Sequence, residues 1–315
     1  MKIISQKQIK GLNISPATCV EWVKESFSLK ETAQLPAKIS LHPQGNDFFN
    51  TMPCLLPSPY NCYGVKVVHR IKGAVPALGS DILLYNSQNG ELLAMFDADW
   101  ITTMRTGAVA TLAIQTFRKS DATTYGLLGL GNTGRATLLC LLDSEPEVMH
   151  NVLLLRYKNQ AELFMERFKD YRNVSFVVCD NAPDLVKQSD VIISCITEAQ
   201  GLLCEDDSCF RKGCLVVPVH TRGFQNCDLF FDKVYADDTA HVCGFKYFSR
   251  FKQFGEIQDA ISGKIKGRES GEERILSYNI GLGLHDVVYA SKIYDMLKDC
   301  SSEVTIERET DKFWI

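Results

Sequence analysis

The stretch YGLLGLGNTGRATLLCLL, residues 125–142, decides the fold. A short apolar run leads into Gly129-Leu130-Gly131-Asn132-Thr133-Gly134, and an apolar helix-like segment follows. This is the G-x-G-x-x-G pattern of a strand, a tight turn and a helix. The first glycine allows the turn, the second lets the backbone approach a pyrophosphate, and the third permits close helix–strand packing. Phosphates would then meet the free N–H groups and the positive dipole end of the helix. The pattern alone also fits a tight β–α turn with no ligand, but here strand and helix signals flank it on both sides.

Downstream, the chain alternates in the α/β manner. Strands are predicted at 126–130, 152–155, 174–178, 191–195, 214–219 and 233–236, with helices at 135–142, 160–168 and 182–188. Right-handed crossovers stack such units as a doubly wound, mostly parallel Rossmann-type sheet with its ligand at the strand carboxyl ends. After a helix at 256–262 and a polar loop at 267–273, residues 276–297 read as one long segment that crosses back to the N-terminal domain.

Upstream the pattern is different. A helix is predicted at 16–29 and strands at 38–41 and 63–71, while the apolar run 48–56 is interrupted by Pro53. Residues 81–85 and 91–96 flank a turn ending in Asn89-Gly90, a β-hairpin signal, and 97–117 reads as a helix. The expected organisation is an α+β substrate and dimerisation domain at 1–118, with 290–315 packing back on it, and a dinucleotide-binding domain at 119–289.

Composition excludes several classes. A chain of 315 residues, 45% hydrophobic, can bury two cores. A net charge of −4 leaves no electrostatic footprint for nucleic acid or an anionic membrane. No window is apolar enough to span a bilayer, and MKIISQKQIKGLN lacks the apolar core of a signal peptide, so the cytoplasm is the expected compartment. The twelve cysteines include no Cys-x-x-Cys; Cys204, Cys209 and Cys214 match no common zinc spacing, and His241-Val242-Cys243 is too little for a site. No metal is expected, and the cysteines are read as reduced, small buried hydrophobes.

The second strand of the dinucleotide fold normally ends in an acid that grips the ribose 2′-OH. Here 152–155 is followed by Arg156-Tyr157-Lys158, so a 2′-phosphate suits the surface and NADP(H) is favoured over NAD(H). The candidate cofactor-binding residues are Gly129, Gly131, Asn132, Thr133 and Gly134, with Thr106, Arg156 and Lys158. Lys38, Lys66 and Arg105 are cations in mostly apolar settings, where each needs an anion: a substrate carboxylate, or a carboxylate of the protein such as Asp97 or Asp99.

In combination these pieces resemble the ornithine cyclodeaminase/mu-crystallin family. Gly64-Val65-Lys66-Val67-Val68 is similar to its G-x-K-x-V strand, and Thr102-Thr103-Met104-Arg105-Thr106-Gly107-Ala108 to its L-T-x-x-R-T-x-A run. Gly255-Glu256-Ile257, Gly263-Lys264 and Gly267-Arg268 resemble its G-E-(L/I)…G-K…G-R series, and residues 281–290 its G-x-x-x-x-D-x-x-x-A ending. The resemblance implies a homodimer formed through the substrate domain. It also implies hydride transfer between a nicotinamide and the Cα of an amino, imino or N-substituted amino acid. Lys66 and Arg105 would hold or polarise the substrate, with Lys38 where relatives carry Arg.

One departure bears on the reaction. Ornithine cyclodeaminases have a G-G-D-x-P-G-K-T-like loop whose Asp acts in acid–base catalysis. This chain reads His220-Thr221-Arg222-Gly223-Phe224-Gln225-Asn226-Cys227-Asp228, with Arg222 near the place of that Asp. His220 and Asp228 are then the candidate proton carriers, and Arg222 a candidate for a second substrate carboxylate. Ornithine cyclodeamination with bound NAD is the alternative reaction, and a cofactor-dependent protein that holds a small carboxylate without turnover is the alternative class.

Overall fold

The computed structural model describes residues 1–313. In chain order its elements begin with β1 (Lys2–Ile4), α1 (Gln6–Gly11), α2 (Pro16–Ser28), β2 (Ile39–Leu41), β3 (Phe48–Leu56), β4 (Cys62–Arg70), β5 (Leu78–Asn86), β6 (Leu92–Asp97) and α3 (Asp99–Phe117). Then come β7 (Thr124–Leu128), α4 (Asn132–Ser144), β8 (His150–Leu155), α5 (Gln160–Glu166), β9 (Val174–Cys179), α6 (Ala182–Gln188), β10 (Val191–Ser194) and β11 (Leu215–Pro218). The chain ends with β12 (Lys233–Ala236), α7 (Thr239–Val242), β13 (Phe254–Glu256), α8 (Ile257–Ile261), β14 (Ile275–Tyr278), α9 (Gly283–Leu297) and β15 (Ser302–Glu303).

These elements form two compact units. The first holds residues 1–13, 29–102 and 283 onward; the second holds 14–28 and 103–282. The division therefore falls elsewhere than 118/119 and 289/290. Helix α2 goes with the second unit because it packs on α4, where the Ala17 N–H donates to Asp143 Oδ2 at 2.8 Å. Most of α3 goes with it, and α9 belongs wholly to the first.

The first unit is a seven-stranded sheet in the order β15-β1-β6-β5-β4-β3-β2, antiparallel except for β1 beside β6. Alternation along β4 turns Cys62, Gly64, Lys66 and Val68 to the buried face and Tyr63, Val65 and Val67 to the other. Helix α9 packs on β3, β4 and β5. The pair β1–β15 joins the two ends of the chain, a connection that three-residue and two-residue strands do not announce in sequence.

The second unit is an eight-stranded parallel sheet, β13-β12-β14-β11-β10-β7-β8-β9. Its strands are short apolar runs, and β7, β10, β11, β12 and β14 are almost wholly buried, as a parallel sheet between helical layers requires. The expected single segment 276–297 is in fact two elements. Ile275–Tyr278 is a central strand between β11 and β12, and Gly281, at φ +98°, turns the chain before α9. A four-residue apolar run is equally compatible with a buried helix, so periodicity alone does not separate them.

Candidate active site

The turn after β7 is shaped around its glycines. Gly129 sits at φ +90°, and a Cβ there would strike the Cys195 backbone after β10. A Cβ on Gly134 would collide with the Gly129 carbonyl, so helix and strand close tightly only with glycine. Gly131 differs: it is the N-cap of α4, has open space where its Cβ would lie, and brings no side chain to the helix end. The first N–H groups of α4, with Asn132 exposed and Thr133 half-buried beside them, thus lie at a helix end with open space at Gly131.

At the end of β8, Arg156 donates through Nε to Asp180 Oδ1 at 2.7 Å and through Nη1 to Glu162 Oε1 at 3.3 Å. The pairing of Leu155 with Cys179 sets Asp180 alongside, so an acid does stand here, supplied by β9 rather than β8. Lys158, at φ +51°, holds its ammonium over the Tyr157 ring, 5.3 Å from the centroid.

Farther along the carboxyl edge, Arg105 of α3 is buried, only 5% exposed, with Thr106 half-buried beside it. The Arg105 guanidinium lies against Gly281, where a Cβ would collide with Nη1. After β11, His220 Nδ1 accepts the Arg222 backbone N–H at 2.9 Å, which leaves the ring proton on Nε2, 3.0 Å from Ser194 Oγ. Burial, then the nearby Arg222 charge, pull the His220 pKa down to about 4, so the ring is neutral at ordinary pH. The Arg222 side chain is exposed, and its Nη1 donates to the Thr197 carbonyl at 2.6 Å.

Asp228 does not lie on the surface. It is 2% exposed, on a turn whose neighbours Cys227 and Phe231 belong to the apolar core, and it accepts the Tyr278 hydroxyl at 2.8 Å. Burial raises its pKa to about 6 even though the Tyr278 bond favours the anion.

In the first unit, Lys66 on β4 and Asp286 on α9 form an ion pair, Nζ to Oδ2 2.6 Å, with both side chains fully buried. Lys38, half-buried, immediately precedes β2. Asp286 is a partner of Lys66 that sequence reasoning left without a role. The signal was present, since it is the acid of the G-x-x-x-x-D ending, but its partner became visible only once α9 lay over β4. Among the described residues, no group of three or more His, Cys, Asp or Glu is placed to hold a metal.

The family model described as ornithine cyclodeaminase/mu-crystallin matches residues 2–301. A Δ1-pyrroline-2-carboxylate reductase of Colwellia psychrerythraea is 25% identical over 320 aligned positions, covering 95% of this chain and all of the relative. An N-((2S)-2-amino-2-carboxyethyl)-L-glutamate dehydrogenase of Staphylococcus aureus is 23% identical over 239 residues, covering 71% of this chain and 70% of that one. The fold matches that of the Thermococcus litoralis Δ1-pyrroline-2-carboxylate reductase in complex with NADH and L-proline, with a TM-score of 0.85 and 21% identity, covering 96% of this chain and 100% of the other.

Proposed function

Because the chain belongs to the ornithine cyclodeaminase/mu-crystallin family, we propose that it is an NAD(P)-dependent oxidoreductase acting on the Cα–N bond of an amino, imino or N-substituted amino acid. The observation that carries this reading is the open cradle at Gly131, at the head of a helix with no side-chain cap. A nicotinamide cofactor bound there supplies or removes a hydride at the substrate carbon. Backbone groups from Gly129 to Gly134 hold its pyrophosphate, with Thr106 contributing from α3. Arg105 meets the substrate carboxylate with a planar two-pronged donor, and Lys66 polarises the C=N group, with Lys38 as additional charge. His220 holds Ser194 and the Arg222 backbone in place; with both ring nitrogens engaged and its pKa depressed, it is poorly placed to carry a proton. Asp228, enclosed with Tyr278, is equally unsuited.

The finer preference is NADP(H), through Arg156 and Lys158, moderated by the two acids already on Arg156. No described helix is long and apolar enough to cross a membrane, and we place the protein in the cytoplasm as a homodimer. Arg222, an added cation after β11, suits a second substrate carboxylate, in keeping with a Staphylococcus relative named for a carboxyl-rich N-substituted amino acid. Arg222→Ala is then expected to raise KM strongly for oxaloacetate with ammonia; an unchanged KM removes that role.

The deciding assay follows consumption of NADH and NADPH with Δ1-pyrroline-2-carboxylate, with pyruvate or oxaloacetate plus ammonia, and with pyruvate plus methylamine. Ornithine with oxidised cofactor completes the panel. Turnover of at least one imine is expected, and cofactor that binds without being consumed by any of them overturns the proposal.

A further inference from the structure

A second histidine in the dinucleotide unit is held quite differently from His220. Asp237 directly follows β12 and is fully buried. Its Oδ2 accepts the backbone N–H groups of Ile280 and Gly281, and its Oδ1 lies 3.2 Å from His241 Nδ1 on the short helix α7. The neighbouring acids are engaged elsewhere: Asp238 accepts the Ala240 N–H, and Glu256 the N–H and hydroxyl of Thr239. Asp237 therefore fixes Nδ1 as the protonated nitrogen. That leaves Nε2, on a side chain 7% exposed, as the acceptor nitrogen.

The location matters as much as the pairing. The dyad sits at the carboxyl end of β12, which neighbours β14, and β14 runs on into the Ile280–Gly281 turn. The Asp237 carboxylate holds that turn, and the Arg105 guanidinium rests against it. One carboxylate thus ties the backbone under Arg105 to the orientation of an imidazole. In a doubly wound sheet the half beyond the first strand, away from its second and third, is the nicotinamide side; here that half is β10, β11, β14 and β12.

We propose that His241, oriented by Asp237, is the proton carrier of the reaction. The proposal rests on the oxidoreductase reading and adds a residue to it. In the reductive direction the substrate carbon takes the hydride and the C=N electron pair moves onto nitrogen. Imidazolium Nε2 gives up its proton to form the new N–H bond, leaving a neutral ring whose Nδ1–H stays on Asp237. In the oxidative direction neutral Nε2 takes the proton from the substrate nitrogen as hydride leaves Cα. His220 cannot serve in this way, since its Nδ1 is an acceptor for backbone and its Nε2 proton is directed at Ser194.

Two measurements test it. The first is NMR of histidine-labelled cofactor-free protein, with His241 assigned as the signal lost in His241→Gln. Addition of NAD+ is expected to shift His241. His150, bonded to Glu145 at the amino end of β8, should stay fixed. A His241 signal unmoved at saturating NAD+ places the dyad away from the nicotinamide and overturns the proposal, whatever the substrate proves to be. The second is steady-state kinetics on whichever imine of the panel the wild type reduces. His241→Gln should lose about 100-fold or more in kcat with little change in KM, and added imidazole should restore turnover to His241→Ala. Wild-type kcat in His241→Gln, or a loss that imidazole does not rescue, overturns it. A wild type that binds NAD+, shifts His241 and turns over nothing counts against the oxidoreductase reading instead.

Discussion

Lys66 Nζ lies 2.6 Å from Asp286 Oδ2, and neither side chain reaches solvent. The strand alternation that aims Cys62, Gly64 and Val68 at the core aims the lysine there too, so its ammonium stands among apolar groups that alone would make it costly. An acid on α9 resolves the conflict. A family-typical cation is thereby fixed in place against a carboxylate.

Breaking the pair should separate stability from function. Asp286→Leu takes the carboxylate from beside a buried ammonium and is expected to cost about 3–5 kcal/mol, whereas Lys66→Met combined with Asp286→Leu should regain most of it, because replacing both ions with apolar groups is near neutral. Urea unfolding midpoints read the first effect. Imine reduction should be absent from both variants, and a double variant that is stable and still active would remove Lys66 from the chemistry.

Asp228 and His220 give opposite pH dependences. The folded-state pKa of Asp228 is raised from 3.8 to about 6, so its favourable contribution is complete below the unfolded value and is lost as pH rises through about 6. His220 is lowered from 6.5 to about 4; its contribution is complete above 6.5 and is lost as pH falls through about 4. Asp228→Asn keeps an acceptor for the Tyr278 hydroxyl without the buried charge. It should exceed the wild type by about 1–2 kcal/mol near neutral pH, a gain that vanishes in mild acid. Denaturant titrations across that range check it, and equal stability at neutral pH would mean the carboxylate is better solvated than its burial indicates.

How far the sequence could be read depended on the length over which each signal persists. The glycine turn carried the Rossmann half because its spacing dictates backbone shape locally, and the hairpin β5–β6 followed from Asn89-Gly90 between two apolar runs. Strand β14 was not legible: ILSY is too short for periodicity to show, and its neighbours β11 and β12 are set by the whole sheet. The site divides in the same way. Lys66 stood out as a cation in an apolar strand and Arg156 as one where an acid is usual, but their counterparts did not. Asp286 meets Lys66 only through packing of α9, and Asp180 meets Arg156 only through β8–β9 pairing. Asp228 stood out only as a titratable group near Arg222, because nothing nearby in sequence announces that Tyr278 will close over it.

The open face of the first sheet offers a dimer test. Opposite the face that α9 covers, Val65, Leu83 and Met95 stand in register across three strands, and Tyr63 faces Tyr85 with ring centroids 5.9 Å apart. Met95 is 38% exposed, and these residues form a contiguous apolar strip, the surface a homodimer would cover. Leu83→Asp, in the middle of the strip, should convert the proposed homodimer to a monomer in sedimentation velocity. A wild type that sediments as a monomer removes the strip from this role.

The proposed cofactor preference can be tested at Arg156. Its guanidinium is half exposed and already bonded to Asp180 and Glu162, so a 2′-phosphate must compete with two carboxylates for it, assisted by Lys158. A pair this solvated is weak enough for a doubly charged phosphate to displace it. Titration is therefore expected to show NADPH binding tighter than NADH by less than about tenfold, since a single solvated charge-assisted contact separates them. Arg156→Ala should erase that difference by weakening NADPH alone. Asp180→Asn should act in the opposite sense, freeing the guanidinium and widening the preference. Equal affinities in the wild type, with NADPH binding unaffected by Arg156→Ala, would show that the arginine belongs to its two acids and does not discriminate between the cofactors.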